Sequence, residues 1–359
     1  MDRIQDYVRW RGDLAWDIVP ITTEDIVVMC SLTYNPYEEL TGDFRGKTLG
    51  ELNHRIYVNG RLPRTAAGWQ KKLYKMWKEL PLYPRFAGIK LADFLFVQST
   101  EEDEQIAVAT YELEDCAVVA FRGTDTTMAD WKESLEIAHK GLLPAREKAV
   151  EYLNDALERY DRVYVCGHSK GGNLALYSSA HCKHQDKIIE IYNLDGPGLD
   201  KDSYDNKWHH IEERVHTIVP EGSTFGVIIG YGANYAVVSS TSKGFNQHDT
   251  FTWEFDGPQL NYVERLSTTS RVVGQTFHKF MEESSEDDRR TVVDTVQRLA
   301  DATRTEDTTN FVVKLAARAP HVVKEIKNID DETKQTIRRL GKKVASDAID
   351  IRLHKEKRK

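Results

Sequence analysis

The sequence predicts an α/β fold in which a mainly parallel sheet is flanked by helices and is followed by a helical extension at the C-terminus. Three observations indicate this fold class. Strand-like runs alternate with helical periods through the middle of the chain, and Gly or Pro ends these runs. A serine flanked by glycines stands between one such run and a helical segment. Beyond about residue 259, helical periods with many charges and few aromatic residues dominate.

The glycine-flanked serine is Ser169, within the segment RVYVCGHSKGGNLALYSSA. β-Branched and aromatic residues at 163–165 predict a strand before it, and helix formers resume at residue 173. Between them, Gly167, Ser169 and Gly171 fit the G-x-S-x-G pattern of a nucleophile elbow. Such a turn pushes the serine Oγ out over the sheet edge, and the following helix directs its N-terminal N–H groups at the same place. The five-residue pattern alone is weak evidence, and the strand and helix around it supply its specificity.

The first 80 residues are predicted to pack around the sheet. Residues 1–35 begin with a short amphipathic segment, and a helix-capping pattern at Thr23 precedes an apolar run. Residues 36–60 alternate glycines and charges without a period, which predicts irregular structure. Residues 66–80 carry apolar side chains at spacings of three and four and predict an amphipathic helix. Its apolar stripe is typical of a core helix, although a lid over an apolar cleft has the same pattern.

Strand-like runs lie on both sides of the elbow. Before it, residues 89–98, 105–113 and 116–121 are separated by tight acidic turns, which predicts an antiparallel meander. A helical stretch then opens near Met128, and a second helix is predicted over residues 144–160. After the elbow, three further strands are predicted over residues 187–194, 214–219 and 235–238. Because ligands bind at the carboxyl ends of such strands, the residues that follow them are the candidates for a site.

Composition argues against several classes of protein. The chain of 359 residues has a formal net charge of -8 and a pI near 5.9, which is unlike a nucleic-acid-binding protein. Its four cysteines form no C-x-x-C pair, so we expect no disulfide framework. The charged N-terminus lacks the apolar region of a signal peptide, and the uncharged segment 223–242 is too rich in Gly, Ser and Thr for a membrane span. We expect a cytoplasmic protein with one catalytic domain, residues 1–275, and a charged helical extension, residues 276–359.

A serine nucleophile needs a histidine base, and His248 is the predicted one. It lies downstream of the last strand, in a loop that contains Gly and Asn. The alternative is a loop histidine hydrogen-bonded to its neighbour Asp249. His168 belongs to the elbow itself, where we expect its side chain to point away from the serine's cleft. The other histidines considered have ordinary surface surroundings, so we expect neither a metal site nor a cofactor; they are His181, His184, His209 and His210.

Two loops offer the acid that would orient the histidine. Asp195 ends the strand directly after the elbow, in a tight Gly-Pro-Gly turn, and Glu221 ends the strand after that. Asp195 is preferred because a short side chain in a rigid turn loses little entropy when it directs one oxygen. The structural alternative for Asp195 is that its side chain only caps the turn through its own backbone. Asp249 is too close to His248 along the chain to be a good orienting partner.

An oxyanion hole needs two backbone N–H groups, one from the residue after the nucleophile and one from a separate loop. Lys170 supplies the first by its position. For the second, the turn at Gly123 and Thr124 is chosen, because it leaves a core strand where a loop can overhang the elbow. Arg122 and Asp125 are expected to brace that loop rather than to react.

These residues together resemble the lipase-like α/β-hydrolases. The block FRGTDTTMADW looks like the oxyanion-loop block of class 3 lipases, and GHSKGGNLALY looks like their nucleophile block. The sequence also resembles a bacterial group, the Mbeg-like hydrolases, to which DYVRWRGDL, YNLDGPG and QHDTFTW are similar. The resemblance covers about the first three quarters of the chain, and the combined motifs are quite specific.

The resemblance implies that Ser169 is the nucleophile and His248 is the base. It also implies that Thr124 and Lys170 are the oxyanion-hole donors. It leaves the acid open. Class 3 lipases take theirs from a position nearer Glu221, whereas pancreatic-type lipases place an aspartate where Asp195 stands. Lys170 departs from the apolar residue usual in lipase elbows. A cation there would either favour an anionic substrate over a neutral triglyceride or face solvent.

The leading hypothesis is a serine hydrolase that cleaves carboxylic esters, with acyl lipids as the substrate class, through an acyl-enzyme on Ser169. The alternative is a binding or regulatory protein that keeps the fold without turnover, motivated by the ambiguous acid and by Lys170. In residues 337–359 basic side chains outnumber acidic ones. This tail is either a solvated helix or a weak contact to an anionic membrane surface.

Overall fold

The computed structural model describes residues 2–57, 66, 68–99, 104–123, 144–199, 207–227 and 235–283, with 285, 287, 288, 291, 334 and 335. The α-helices in these ranges are α1 (Ile4–Arg11), α2 (Thr23–Leu32), α3 (Leu49–Leu52), α4 (Gly68–Glu79), α5 (Pro84–Ala87), α6 (Pro144–Arg159), α7 (Lys170–His181) and α8 (Thr268–Glu283). Short 3-10 helices span Tyr37–Glu39, Leu80–Leu82, Gln185–Lys187, Trp208–His210, Glu212–Arg214, Gly244–His248 and Thr250–Thr252.

The described strands are β1 (Lys47–Thr48), β2 (Lys90–Ser99), β3 (Glu104–Glu112), β4 (Ala117–Phe121), β5 (Val163–His168), β6 (Ile188–Leu194), β7 (Val215–Pro220), β8 (Tyr235–Val238), β9 (Phe255–Asp256), β10 (Gln259–Leu260) and β11 (Tyr262–Val263). Within the described part of the chain, one sheet has the order β1-β2-β3-β4-β5-β6-β7-β8-β11. Strands β4 to β8 are parallel to one another, and the pairings outside this block, of β1 to β4 on one side and of β8 with β11 on the other, are antiparallel.

Helices cover both faces of this sheet, and the alternation of side chains along the strands explains how. Val119 and Phe121 of β4 face the side on which α6 and α7 pack, whereas Val118 and Ala120 face the side of α1, α2 and α4. All five residues of β4 are buried, as a strand covered on both faces requires. The mainly parallel sheet flanked by helices, predicted from the sequence, is confirmed.

The helix α2 is buried almost along its whole length, because it lies between the sheet and an outer layer that contains α1 and α4. Thr22 caps it by accepting a hydrogen bond from the Asp25 N–H at 3.3 Å. The buried Asp25 carboxylate binds Arg85, whose Nη2 lies 2.6 Å from Asp25 Oδ2. This pairing satisfies two charges that would be costly to bury alone, and it fixes the start of the helix that leads to Tyr34.

The local predictions before the elbow hold with small shifts at the ends. Strands β2, β3 and β4 form the predicted antiparallel meander. The predicted helix over residues 66–80 is α4, and its residues Leu73, Met76 and Trp77 belong to the hydrophobic core. The core reading of that apolar stripe is therefore confirmed. The helical stretch expected near Met128 lies outside the described residues.

At the C-terminus, α8 runs continuously through the predicted domain boundary at residue 275. The division into 1–275 and 276–359 stays a prediction, and residues 337–359 lie outside the described ranges. The four cysteines are free and buried; they are Cys30, Cys116, Cys166 and Cys182. No helix among the described residues is both long enough and apolar enough to cross a membrane.

Candidate active site

Ser169 occupies the sharp turn between β5 and α7. Its φ of 58° and ψ of -129° lie outside the regions that L-residues prefer, which costs about 1–3 kcal/mol. The turn also requires two glycines for space. A Cβ on Gly167 would lie 2.0 Å from the Gly171 O, and a Cβ on Gly171 would lie 2.1 Å from the Phe121 O. The N-terminal end of α7 begins at the serine, so its dipole favours negative charge there.

Asp195 follows β6, the strand next to β5, and its φ of 48° is also unusual for a residue with a side chain. The carboxylate is fully buried. Its Oδ1 accepts hydrogen bonds from Ser223 Oγ and from the Gly226 N–H, the latter at 3.3 Å. Its own N–H donates to the Ile218 carbonyl at 2.8 Å. A buried carboxylate needs such donors, and together they fix its position.

His248 ends the 3-10 helix Gly244–His248 and reaches the same carboxylate. Its Nδ1 lies 2.7 Å from Asp195 Oδ2, although 53 residues separate the two along the chain. The ring packs against Phe225 with 4.3 Å between centroids. Asp249 does not orient this ring, because its Oδ2 binds Lys72 Nζ at 2.7 Å and its Oδ1 accepts from the Phe251 N–H.

Glu221, the other candidate acid, directly follows β7, one strand further from the elbow. Its backbone is part of the sheet edge, where its N–H donates to the Val238 carbonyl at 2.9 Å. The structure thus brings His248 together with Asp195 and places Glu221 at the end of a strand on the far side of β6.

The loop of His248 is held by several side chains. Gln247 Oε1 accepts from the Gly222 N–H at 2.9 Å, and Trp253 Nε1 donates to the Gln247 carbonyl at 2.9 Å. Thr252 Oγ1 donates to the Asp249 carbonyl at 2.7 Å. The histidine therefore sits in a loop that is ordered by hydrogen bonds on both of its flanks.

His168 does not point away from the site as expected from the sequence. Its ring packs against the His248 ring with 4.4 Å between centroids, and its Nε2 lies 2.8 Å from the His248 carbonyl oxygen. Its Nδ1 lies 2.8 Å from the hydroxyl of Tyr34, a residue 134 positions earlier. Burial, and then the neighbouring His248 imidazole, lower the pKa of His168 well below its ordinary value. The position one residue before the serine is thus occupied by a neutral, hydrogen-bonded histidine.

Lys170 is the first residue of α7, and its backbone N–H follows the serine as predicted. One of the two expectations for its side chain, that it faces solvent, is wrong, whereas a preference for an anionic substrate stays a prediction. Only 1% of Lys170 is exposed, and its Nζ donates to the Gln105 carbonyl of β3 at 2.5 Å. The ammonium group is therefore held at the start of β3, where its bond to the Gln105 carbonyl replaces the water that it would have outside.

The loop that leads to the second proposed oxyanion donor reaches the serine. A Cβ on Gly123 would lie 2.9 Å from the Ser169 Cβ and 2.5 Å from the His168 carbonyl oxygen. Thr124 and Asp125 lie outside the described residues. Arg122, expected to brace this loop, is buried, with its Nη1 3.4 Å from Glu38 Oε2 and its guanidinium over the Phe96 ring. In the described part of the chain, no group of three or more His, Cys, Asp or Glu is arranged to hold a metal ion.

A strained serine at a strand-to-helix turn, on the carboxyl edge of a mainly parallel sheet with helices on both faces, defines the α/β-hydrolase fold. The family model described as Mbeg1-like matches residues 80–298, more than half of the chain. The chain belongs to the Mbeg1-like family, as its sequence motifs indicated. A search of curated proteins gives no match.

Solved structures similar to the chain include three lipases. A triacylglycerol lipase from Penicillium expansum is 13% identical with a TM-score of 0.33, and covers 47% of this chain and 75% of that one. A Rhizomucor miehei lipase in a propeptide complex is 13% identical with a TM-score of 0.36, over 72% and 78%. Lip2 lipase from Yarrowia lipolytica is 12% identical with a TM-score of 0.28, over 43% and 66%. At these scores the likeness extends to neither substrate nor mechanism.

Proposed function

We propose that the protein is a serine hydrolase that cleaves carboxylic esters through an acyl-enzyme on Ser169. In this proposal His248 is the general base, Asp195 orients it, and the backbone N–H groups of Lys170 and Thr124 bind the oxyanion. The observation that carries the proposal is the 2.7 Å contact between His248 Nδ1 and Asp195 Oδ2, with the histidine ring packed on the residue just before the strained serine.

The proposed reaction uses the imidazole tautomer that the contact with Asp195 favours. With Nδ1–H donated to Asp195, the imidazole keeps its Nε2 free of a proton, and this nitrogen takes the proton of the Ser169 hydroxyl as Oγ attacks the ester carbonyl. Negative charge then develops on the carbonyl oxygen beside the first turn of α7. The imidazolium returns its proton to the leaving alcohol, and water releases the acyl group by the same steps in reverse order.

Aromatic side chains support an acyl substrate. Phe225 packs on the His248 ring, and Tyr34 packs on Trp69 with 5.3 Å between centroids. Such side chains offer apolar surface next to the proposed base. Because the Lys170 ammonium group is buried against β3, it gives no support to an anionic substrate, and neutral acyl esters are the substrate class that we propose.

The test is labelling with a fluorophosphonate, which reacts with activated serines. We expect the wild-type protein to be labelled and Ser169→Ala to remain unlabelled. Ser179→Ala is a matched control, because Ser179 lies on the same helix, is buried, and has no hydrogen-bond partner for its hydroxyl among the described residues. This control should be labelled like the wild type.

Substrate preference is measured with p-nitrophenyl esters of graded chain length. Hydrolysis that is lost in both Ser169→Ala and His248→Ala supports the proposal. A wild-type protein that neither takes the label nor cleaves any ester of the series contradicts it, and favours the alternative in which the fold serves binding without turnover.

A further inference from the structure

A chain of three hydrogen bonds connects the two loops on either side of the serine. The Gly123 N–H donates to the Tyr34 hydroxyl oxygen at 3.1 Å. The same hydroxyl lies 2.8 Å from His168 Nδ1. His168 Nε2 in turn lies 2.8 Å from the carbonyl oxygen of His248. Gly123 directly precedes the proposed oxyanion donor Thr124, and His248 is the proposed base.

The direction of every bond in this chain follows from its ends. A carbonyl oxygen can only accept, so His168 Nε2 carries a proton, and in a neutral ring Nδ1 is then the acceptor. The Tyr34 O–H must then donate to Nδ1, which leaves its oxygen lone pairs for the Gly123 N–H. With a neutral His168, this arrangement of protons satisfies all four groups. The burial of this ring, which lowers its pKa, supports that state.

Packing holds the side chains of Tyr34 and His168 in place. Tyr34 makes an edge-to-face contact with Trp69 at 5.3 Å and another with the His168 ring at 5.9 Å. His168 is buried and also lies against the His248 ring. Gly123 has no room for a side chain, because a Cβ there would lie 2.5 Å from the Tyr34 hydroxyl.

We propose that Tyr34 and His168 are positioning residues that form a rigid hydrogen-bonded strut between the oxyanion-hole loop and the loop of the base. The inference rests on the proposed function, in which both loops must be placed correctly about Ser169 at the same time. A displacement of about 1 Å in such a site can lower the rate by roughly 100-fold. The strut hydrogen-bonds to the backbone of the two loops, so it acts on the rate of the chemical step through them.

The first test compares Tyr34→Phe with Tyr37→Phe. Both remove one hydroxyl, and the Tyr37 hydroxyl is buried against Tyr111 at 3.2 Å, away from the strut. The readouts are the rate constant of fluorophosphonate labelling at Ser169, kcat and KM for a short-chain p-nitrophenyl ester, and the thermal midpoint. We expect Tyr34→Phe to lower the labelling rate and kcat by roughly tenfold or more, with KM within about twofold of wild type. Tyr37→Phe should change the midpoint and leave both rates within about twofold.

The second test replaces His168. The terminal amide of His168→Gln can still donate to the His248 carbonyl, whereas His168→Leu cannot, so Gln should retain several-fold more activity than Leu. Adding Tyr34→Phe to His168→Leu should cost little further rate, because the strut is already broken.

Three outcomes distinguish a failure of the strut from a failure of the proposed function. A labelled wild type with wild-type rates in Tyr34→Phe overturns the strut and leaves the proposed function standing. The strut is also overturned if Tyr34→Phe and Tyr37→Phe lose equal rate and the losses follow the fall in their thermal midpoints. The effect is then one of general stability. A wild type that takes no label overturns the proposed function and the strut together.

Discussion

The Nδ1 of His248 lies 2.7 Å from the Oδ2 of Asp195, a fully buried carboxylate at the end of the strand next to the elbow. This contact distinguishes between the two candidate acids in the sequence, Asp195 and Glu221. Asp195 binds the histidine ring, whereas Glu221 directly follows β7, and its N–H donates to the Val238 carbonyl of β8. In the proposed mechanism, the acid therefore comes from the strand that directly follows the nucleophile.

This arrangement predicts that, of two conservative substitutions, one lowers activity strongly and the other leaves it nearly unchanged. Asp195→Asn keeps the shape of the side chain but can present an N–H to His248 Nδ1, which would favour the wrong tautomer. We expect kcat for a p-nitrophenyl ester to fall by roughly 10³- to 10⁴-fold. Glu221→Gln is the matched control and should leave kcat within about twofold. Equal losses in the two variants would contradict the assignment of the acid to Asp195.

The hydroxyl of Ser223 supports the same carboxylate, since its Oγ donates to Asp195 Oδ1. Ser223→Ala leaves that oxygen with the longer bond from the Gly226 N–H at 3.3 Å. We expect the free energy of unfolding to fall by about 1–3 kcal/mol and kcat to fall roughly tenfold. Chemical denaturation and ester hydrolysis measure the two effects, and Ser179→Ala, whose hydroxyl has no partner within the described ranges, should show neither. An unchanged kcat in Ser223→Ala would mean that Gly226 alone positions the carboxylate.

Local patterns in the sequence were sufficient for the central sheet. Alternating helical and strand-like periods predicted β4 to β8 and the helices α6 and α7, because each of these elements buries a stripe of side chains with the period of its own backbone. The short β1 could not be found in this way. It has two residues and is defined by its pairing with Leu91 and Lys90, which is a tertiary contact.

The candidate site also has a part that local sequence predicts and a part that depends on tertiary contacts. The elbow is a local structure, and its glycines, strand and helix are visible in one stretch of sequence. The choice between Asp195 and Glu221 depends on which strand end faces the loop of His248, and the contact of His168 with Tyr34 joins residues 134 positions apart. No local pattern carries that information. A polar residue inside a buried elbow must nevertheless find partners, and this signal could have drawn attention to His168.

The neutral, buried His168 predicts how stability depends on pH. Its pKa is lower in the folded protein than in the unfolded chain, where it is about 6.5. Below pH 6.5 the unfolded chain therefore binds a proton that the folded protein does not, so stability is full above this pH and is lost as the pH falls. Denaturation at pH 7.5 and pH 5.5 should show that the wild type loses up to about 1.4 kcal/mol per pH unit more than His168→Gln below pH 6.5.

A control for this prediction is His209→Gln, which removes an exposed histidine. It should lose stability with falling pH as the wild type does. If His168→Gln also follows the wild type, the ring of His168 takes up its proton in the folded protein, and the bond from Tyr34 to its Nδ1 cannot persist at low pH.

The buried position of Lys170 predicts a structural rather than a substrate-binding role for its side chain. Lys170→Met keeps most of the aliphatic stem and removes the donor to the Gln105 carbonyl. We expect the free energy of unfolding to fall by about 1–3 kcal/mol, because the Gln105 carbonyl loses its charged partner. The ratio of kcat/KM for a neutral ester to that for an anionic ester should stay within about twofold of wild type, since the ammonium group is bound to the Gln105 carbonyl. Lys183→Met, on the exposed surface after α7, is the control and should change neither quantity. A selective gain for the neutral ester in Lys170→Met would instead show that this cation acts on the bound substrate.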